Sequence, residues 1–217
     1  MKRTLFLAAS LGWAISMISV SSIFAGENKL VHLPEPQTDG GRPLMQVLKD
    51  RSSSRSFSSE KLSAQALSNL LWAAFGINRP DTGKRTAPSA MDRQEIDIYV
   101  ATAEGVYLYE AKNNALKLIR PGDIRSLTGR QDFVEEALVN LIYVADFSKM
   151  GNAPKEDKEL YSAADTGFIS QNVYLYCASE GLVTVFRAWF DGPALTKELK
   201  LRPDQKVIFC QTVGYPK

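Results

Sequence analysis

Polar and apolar residues alternate over the segment EIDIYVATA near the middle of the chain. Ile96, Ile98 and Val100 take every second position, with Asp97 and Tyr99 between them. Side chains two residues apart point to the same face of a strand. The pattern therefore predicts a half-buried β-strand whose isoleucines and valine face the core.

Further strands are predicted after this segment. VYLYE and ALKLI flank the pair Asn113-Asn114 and are typical of a β-hairpin. The segment LVNLIYVADF is apolar at successive positions, which is typical of a strand covered on both faces and central in its sheet. VTVFRAW and KVIFCQTV predict two more strands near the C-terminus.

Four helices are also predicted, two before these strands and two between the later ones. One of them, ALSNLLWAAF, begins after Ser63, a favoured N-cap residue, and ends at Gly76. The predicted helices are a short one around Leu44–Leu48, the segment ALSNLLWAAF, residues 158–180 and residues 191–199.

The order of these elements decides the fold class. Helices and strands mix, and a hairpin lies in the middle of the chain, so the pattern predicts an α+β fold rather than a regular βαβ array. Residues 43–217 are predicted to form one domain of ordinary size. Residues 26–42, GENKLVHLPEPQTDGGR, are rich in Pro and Gly and predict an extended N-terminal arm.

Residues 1–25 predict a signal peptide. Lys2 and Arg3 form a charged start, residues 4–25 carry no charge, and Ala25-Gly26 offers a small-residue cleavage junction. The alternative is an uncleaved anchor, because the apolar run is long enough to span a bilayer. With cleavage after Ala25, the mature protein is expected to be periplasmic or secreted and to keep no membrane span.

Charge and the scarcity of metal ligands argue against several classes of function. The chain has 26 Lys+Arg against 24 Asp+Glu, and loss of Lys2 and Arg3 with the signal peptide balances the two. Nucleic-acid and membrane-surface binding need a basic excess, so neither is predicted. His32 is the only histidine, which argues against a histidine-dependent hydrolase and a multi-histidine metal site. Cys177 and Cys210 predict two buried thiols, with a disulfide as the alternative in an oxidising compartment.

The segment DRSSSRSF, residues 50–57, concentrates hydrogen-bond donors. Arg51, Ser53 and Arg55 take alternate positions, so in an extended chain they point the same way. Two guanidinium groups and a hydroxyl on one side suit a phosphate, because arginine presents a fixed fork of donors. The alternative is a solvated loop. A P-loop is excluded, because GKRT at 83–86 lacks the preceding glycine, with Asn78 in its place.

Several motifs follow this run in a definite order. They are LSxxALSNLLWAAFGINRP, APSA, TGRQDF, the helix DTGFISQNVYLYCASEGL, the strand TVFRAWFD and the closing VGYPK. Together with Arg-x-Ser-x-Arg-x-Phe, this order resembles the flavin-dependent nitroreductase family. It is most similar to the SagB-type dehydrogenase branch, known for oxidising azoline rings in peptides. The resemblance covers residues 43–217 and implies a central mixed or antiparallel sheet flanked by helices, FMN as cofactor, and a homodimer.

The resemblance also implies a role for individual residues. The matching positions are Arg51, Ser53, Arg55 and Lys217 at the flavin phosphate; Pro88, Ser89 and Ala90 in a loop against the flavin, often from the partner subunit; Gln131 at the ribityl or ring edge; and Phe186, Arg187 and Ala188 as strand-end backbone along the ring. The flavin N5 then accepts or donates a hydride, and the protein supplies position and electrostatics. The sequence singles out no catalytic acid or base.

Some of these residues also fit a purely structural role. Ser89 can shape a turn after Pro88, Gln131 can cap the next helix, and Phe186 can belong to the core. Arg187 is different, because a charge within VTVFRAWF is costly to bury without a partner. It is expected either to face solvent or to meet an anionic or polarised group, such as a flavin ring edge.

Two departures from the family pattern leave two hypotheses about function. Ser52 stands where a second basic residue is common, and Asp92 falls near where many members have Asn. The first hypothesis is an exported FMN-dependent oxidoreductase that acts on a small molecule or peptide with an electron partner other than NAD(P)H. The second is a non-catalytic flavin-fold binding module or scaffold in the periplasm. The aromatic residues of the long helix, Phe168, Tyr174 and Tyr176, are interpreted as dimer interface or core.

Overall fold

The computed structural model describes residues 30–217, so the predicted signal peptide at 1–25 lies outside the described residues. The strands in this part of the chain are β1 (Leu30–His32), β2 (Ile77–Arg79), β3 (Lys84–Arg85), β4 (Ile96–Ala101), β5 (Gly105–Glu110), β6 (Ala115–Pro121), β7 (Val139–Asp146), β8 (Val183–Arg187) and β9 (Gln205–Gly214). The α-helices are α1 (Leu44–Asp50), α2 (Ala64–Phe75), α3 (Phe133–Glu136), α4 (Lys155–Glu180) and α5 (Gly192–Glu198). Within residues 30–217 no helix combines the length and the apolar character needed to cross a bilayer.

Seven of the strands form one sheet in the order β1-β6-β5-β4-β7-β9-β8. Every pairing in this sheet is antiparallel. Helices flank the sheet, so the prediction of an α+β fold is confirmed. Of the two sheet types that the resemblance implied, mixed or antiparallel, the sheet is antiparallel. The remaining strands, β2 and β3, pair with each other in a separate two-stranded sheet.

The central position predicted for LVNLIYVADF is confirmed in β7, which lies between β4 and β9. All of its residues are buried. Leu141 and Tyr143 belong to the apolar cluster that α4 covers, whereas Ile142 and Val144 belong to a second cluster on the other side of the sheet. Because neither face of β7 meets water, its apolar run is continuous rather than alternating.

The prediction for β4 needs a correction on one face. Ile96 and Ile98 are buried as expected, but Tyr99 and Ala101 on the opposite face are buried as well. Tyr99 shares its cluster with Leu195 of α5, which covers this face of the sheet. The alternation of polar and apolar residues thus predicted the strand correctly and the exposure of its second face wrongly.

The two main helices end where their capping residues predict. Ser63 Oγ accepts the N–H of Ala66 at 3.0 Å at the start of α2, as expected of an N-cap. Gly76 ends the same helix. Gly181 follows α4 with a φ of 72°, in the left-handed region that glycine adopts without strain. The start of α4 at Lys155 is earlier than predicted.

From Leu30 onward, the predicted N-terminal arm is extended and is anchored at several points. β1 adds an edge strand to the sheet, with Val31 opposite Leu116 of β6. Further along, the Gln37 N–H donates to Asn69 Oδ1 at 2.8 Å on α2. The Arg42 N–H donates to Ser179 Oγ at 2.9 Å on α4. The arm therefore crosses the helical face before α1 begins.

The two cysteines are buried and unbonded, as predicted. Cys177 lies in the cluster on the α4 side of the sheet, and Cys210 lies in the cluster on the other side. The sheet separates them, so the alternative of a disulfide does not apply. Burial raises the pKa of the Cys210 thiol to about 12 and raises that of Cys177 as well, so neither is a reactive thiolate.

Candidate functional site

The run Arg51–Phe57 is held along the β8 edge of the main sheet. The Ser54 N–H donates to the carbonyl oxygen of Thr184 in β8 at 3.0 Å. The Ser58 N–H donates to the carbonyl oxygen of Tyr215 at 2.9 Å. Phe57 is buried and closes the run. Two backbone hydrogen bonds and one buried ring thus hold this segment against β8 and the C-terminal residues.

Tyr174 of α4 joins this run to the end of β8. Its hydroxyl lies 2.8 Å from Ser53 Oγ and accepts the N–H of Phe186 at 3.0 Å. The guanidinium of Arg51 lies over the Tyr174 ring, 5.3 Å from its centroid, close enough for a cation–π contact. The structure therefore brings together Arg51, Ser53 and the Phe186 backbone, and it does so through a tyrosine that the sequence suggested only as interface or core.

The positive charges of the run lack an acidic partner nearby. Asp50, the adjacent acidic residue, is paired with Arg42. Arg51 is half-buried and Arg55 is exposed, and neither forms an ion pair with another residue in 30–217. Such groups are available to an anion. Lys217 is engaged differently, because its Nζ lies 3.0 Å from Glu136 Oε2 on α3.

The Pro88–Ala90 loop lies against the N-terminal half of α4. Ser89 Oγ accepts the N–H of Gln94 at 2.9 Å, so this residue does shape the turn. The Ala90 N–H donates to Asp165 Oδ2 of α4 at 2.8 Å. Met91 and Asp92 follow with φ values of 56° and 54°, a conformation that costs non-glycine residues energy. Asp165 thus holds a strained loop in place.

This loop and the Arg51 run contact different faces of α4. Asp165 and Tyr174 are nine residues apart, which corresponds to about 13 Å along a helix and about half a turn around its axis. The loop contacts Asp165, and the run contacts Tyr174. Within one chain, Pro88–Ala90 is therefore separated from Arg51 and Ser53.

A buried carboxyl pair lies behind the loop and was missed by sequence reasoning. Glu95 is fully buried and Asp165 is almost so. Both carboxyl oxygens of Glu95 lack a hydrogen-bond partner within residues 30–217. Burial, and secondarily the nearby Asp165 carboxyl, raise the pKa of Glu95. One sequence signal existed for Asp165: it shares its helix face with Ile169 and with the buried Ser162.

Gln131 and Arg187 form a second polar group, on the other side of β8. Phe186 packs its ring on Phe209, with centroids 4.6 Å apart, on the side that α4 covers. Arg187, one residue on, points to the opposite face and donates from Nη2 to Asn140 Oδ1 at 2.8 Å. It is buried, so the solvent-facing alternative for Arg187 does not apply. Gln131 Oε1 is also buried.

The predicted contacts therefore fall into separate groups in one chain. Arg51 and Ser53 meet the β8 end at Tyr174, Gln131 and Arg187 lie together behind β8, and the Pro88–Ala90 loop is apart. Ala188 is exposed where β8 ends. The first group offers guanidinium and hydroxyl donors, which fits a phosphate monoester such as that of FMN.

Comparison with known proteins identifies the family. The sequence model of the nitroreductase family matches residues 48–215, most of the chain. The chain belongs to the nitroreductase family. A relative in Methanocaldococcus jannaschii, described as a nitroreductase, is 29% identical over 169 residues, covering 73% of this chain and 85% of the relative.

Solved structures of the nitroreductase family share the fold. A crystal structure described as a nitroreductase from Ralstonia eutropha has a TM-score of 0.83 and 42% sequence identity, and covers 87% of this chain and 90% of that chain. The NADPH:FMN oxidoreductase from Vibrio harveyi, solved with NAD+, has a TM-score of 0.61 at 20% identity. The match covers 80% of this chain and 69% of that chain. At that identity the likeness is one of fold alone. The resemblance seen in the sequence motifs is thus confirmed at the level of the family, and a flavin oxidoreductase is among the solved proteins of the same fold.

Proposed function

We propose that this family member is an exported FMN-dependent oxidoreductase that moves a hydride between the flavin and a small molecule or peptide. The observation that carries the proposal is the meeting of Arg51, Ser53 and the β8 backbone at the Tyr174 hydroxyl. The guanidinium and hydroxyl groups there suit a phosphate monoester, and the acidic group nearest to Arg51 in sequence is already paired with Arg42. When bound, FMN supplies hydride chemistry at its N5 atom.

The residues of the chain hold and orient the cofactor in this proposal. Arg51 and Arg55 bind the phosphate, and Lys217 adds a further positive charge once it turns from Glu136. The backbone of residues 186–188 lines the flavin ring, with Gln131 at its edge. Tyr174 acts as a positioning residue, because its hydroxyl sets the distance between Ser53 and β8.

A second copy of the chain completes the proposed site. One flavin that meets both Arg51 and the Pro88–Ala90 loop needs the loop from a partner, because the two contact opposite faces of α4 within one chain. Three large apolar side chains of α4, Leu160, Tyr161 and Phe168, are exposed. A homodimer that covers them is consistent with obligate interfaces, which bury on the order of 2,000 Å² or more.

Export narrows the choice of electron partner. Cleavage after Ala25 delivers the protein to the periplasm or the medium, whereas NAD(P)H is a cytoplasmic reductant. We therefore propose a different redox partner. The similarity to the SagB-type branch favours oxidation or reduction of an exported small molecule or peptide.

An absorption spectrum of the mature protein, purified without added flavin, tests the proposal. Flavin bands that dithionite bleaches and air restores are expected. A colourless protein that also fails to bind added FMN would exclude an FMN enzyme. A colourless but stable dimer would favour the second hypothesis, a non-catalytic module or scaffold, which the departures at Ser52 and Asp92 motivate.

A further inference from the structure

Glu95 is a buried acid whose side chain has no hydrogen-bond partner. It is fully buried, and neither of its carboxyl oxygens is hydrogen-bonded to any residue in 30–217. Its backbone is fixed just before β4, where its carbonyl oxygen accepts the N–H of Asp146 at 2.9 Å. The polar groups close to its carboxyl are the Ser162 hydroxyl and the Asp165 carboxyl, both on α4. An ionised carboxylate without hydrogen bonds in such a place is strongly unfavourable.

A single proton satisfies both carboxyl groups. Two carboxylates carry only acceptors, whereas a protonated Glu95 can donate a hydrogen bond to Asp165. Asp165 is almost fully buried and accepts the N–H of Ala90 through Oδ2, which leaves its other oxygen for this bond. Burial, and after it the nearby Asp165 carboxyl, raise the pKa of Glu95. The geometry and the surroundings therefore both favour the protonated form of Glu95.

The other charged side chains on the elements around Glu95 are engaged elsewhere. Arg85 donates to Gln94 Oε1 at 2.8 Å and to the carbonyl oxygen of Phe75 at 2.9 Å. The remaining groups form ion pairs: Lys149 with Asp97, Asp146 with Arg202, and Lys206 of β9 with Glu159 of α4. These cations are committed to other acceptors, so Asp165 is the charge that acts on Glu95.

The loop in front of this carboxyl pair is strained and attached to α4 at one point. Three of its residues other than glycine have φ values between 48° and 56°: Met91, Asp92 and Gln94. Such residues keep this conformation only where the surrounding contacts enforce it. The Ala90 N–H donates to Asp165 Oδ2 at 2.8 Å, whereas within 30–217 the other hydrogen bonds of residues 88–92 stay inside 89–94. The attachment of the loop therefore depends on Asp165.

We propose that Glu95 and Asp165 share one proton, and that this proton holds the Pro88–Ala90 loop against α4. Loss of the proton leaves two carboxylates side by side in a buried site, where like charges repel. Water reaches them once the loop lifts, and the strain in the loop favours that movement. The loop is therefore held at low pH and is released as the pH rises through the pKa of Glu95 in the folded chain.

The consequence for the flavin rests on the proposed function, in which this loop meets a flavin bound mainly by the partner subunit. Glu95 and Asp165 are then positioning residues, because they act on the flavin only through the Pro88–Ala90 loop. FMN is expected to bind more weakly at a pH at which the loop is released.

Hydrogen-exchange mass spectrometry of the flavin-free protein tests the inference. The reporter is a peptide covering residues 86–94, which contains the Ala90 amide, and a peptide covering α2 is the internal reference. Opening that releases one proton becomes up to about tenfold more favourable per pH unit between the ordinary and the raised pKa. Loop protection, corrected for intrinsic exchange, should therefore fall about tenfold or more from about pH 5 to about pH 8. Constant loop protection, or an equal loss in α2, overturns the proposal.

Glu95→Gln and Asp92→Asn distinguish the shared proton from other causes. Glutamine is neutral and its amide can donate to Asp165, so Glu95→Gln should keep the loop protected across the range. Asp92→Asn removes an exposed carboxyl of the same loop, 4.0 Å from Lys84, and should lose protection with pH as the wild type does. The proposal is wrong if Glu95→Gln retains the pH dependence or Asp92→Asn abolishes it. If Glu95→Gln does not fold, the wild-type and Asp92→Asn profiles decide.

FMN titrations over the same pH range connect the loop to the flavin. The phosphate, with a second pKa of about 6, titrates alike in both experiments, so Glu95→Gln is compared with wild type at each pH. The ratio of their FMN affinities should grow about tenfold or more as the pH rises. A constant ratio with a pH-dependent loop would support the shared proton and contradict the loop's place in the flavin site. If FMN binds neither protein, the proposed function fails and the exchange data still decide this inference.

Discussion

At the residue scale, the hydroxyl of Tyr174 connects three parts of the chain. It meets Ser53 Oγ of the run, accepts the N–H of Phe186 at the end of β8, and belongs itself to α4. Arg51 lies over the same ring. Within 30–217 neither the Arg51 nor the Arg55 guanidinium has an acidic partner, so the contribution proposed for each in FMN binding can be measured.

Arg51→Ala and Arg55→Ala are each expected to weaken FMN binding by about ten- to a hundredfold. Charge-assisted hydrogen bonds contribute roughly 1.5–3 kcal/mol, and about 1.4 kcal/mol corresponds to one decade of affinity. Fluorescence-quenching titrations measure the change. Lys112→Ala, which removes an exposed charge on the β5–β6 turn, serves as the matched control and should leave affinity unchanged.

Riboflavin provides the complementary control for these arginines, because it lacks the phosphate. It should bind the wild type weakly and be nearly indifferent to Arg51→Ala and Arg55→Ala. If neither Arg51→Ala nor Arg55→Ala changes the affinity for FMN, DRSSSRSF is a solvated segment rather than a phosphate site.

The buried carboxyl of Glu95 predicts a dependence of stability on pH. Its pKa is raised above the ordinary value of 4.5 by burial. Between the unfolded and the folded pKa the folded chain holds the extra proton, so wild-type stability falls as pH rises through that window. Glu95→Gln has no proton to lose. Its melting temperature relative to wild type should therefore increase from about pH 5 to about pH 8.

Calorimetric or fluorescence melts at several pH values measure the effect of Glu95→Gln. Glu60→Gln changes an exposed carboxyl and should give a difference that is flat across the same range. If the difference in melting temperature between Glu95→Gln and wild type is also constant across this pH range, the pKa of Glu95 does not change on folding.

At the scale of single elements, α2 shows how a local signal specifies a boundary. Ser63 satisfies the N–H of Ala66 at the start of the helix, and Leu70, Leu71 and Ala74 form its buried face. These are local features, which is why the start and end of α2 agree with the sequence. By contrast, Tyr99 of β4 is buried because α5, distant in the chain, covers it.

Ser63→Ala should destabilise the domain by about 1 kcal/mol, the usual loss for an N-cap. For a domain of this size that corresponds to a fall of roughly 2–4 °C in the melting temperature. Ser59→Ala is the control, because Ser59 is exposed and lies outside the helix. Equal melting temperatures for both variants would show that the Ser63 cap contributes nothing to stability.

At the scale of the whole molecule, the proposed homodimer predicts a link between assembly and flavin binding. Phe168 is exposed on α4, and Phe168→Glu would place a charge in the proposed interface. Light scattering should then show a monomer, and FMN should be lost because the proposed site takes the Pro88–Ala90 loop from the partner. Thr196→Glu on α5, also exposed, is the control. A wild-type monomer that keeps FMN at all concentrations would contradict the dimer.

Export predicts a defined N-terminus for the mature chain. Cleavage at the Ala25-Gly26 junction should give a protein that begins at Gly26. Intact-mass measurement of protein from its native cell envelope checks this. Recovery of all 217 residues from the membrane fraction would instead support the uncleaved anchor.

Of the candidate site, the sequence pointed to the residues that carry the donors but not to those that position them. Arg51, Ser53 and Arg55 stood out because their spacing is local. Tyr174 did not, because its hydroxyl finds its partners only when α4 crosses β8. The same holds for Glu95 and Asp165, which are distant in sequence and meet only through the fold.

The sequence by itself determined the helices and the main strands, the α+β class, the family and the cationic run, because periodicity, capping and motif order are properties of neighbouring residues. Only the tertiary structure decided that both faces of β4 are covered, that Arg187 is buried beside Asn140, and that the Pro88–Ala90 loop lies across α4 from Tyr174. Those outcomes depend on which distant segments pack together. Burial and pairing across the fold are set by the whole chain, and no local pattern encodes them.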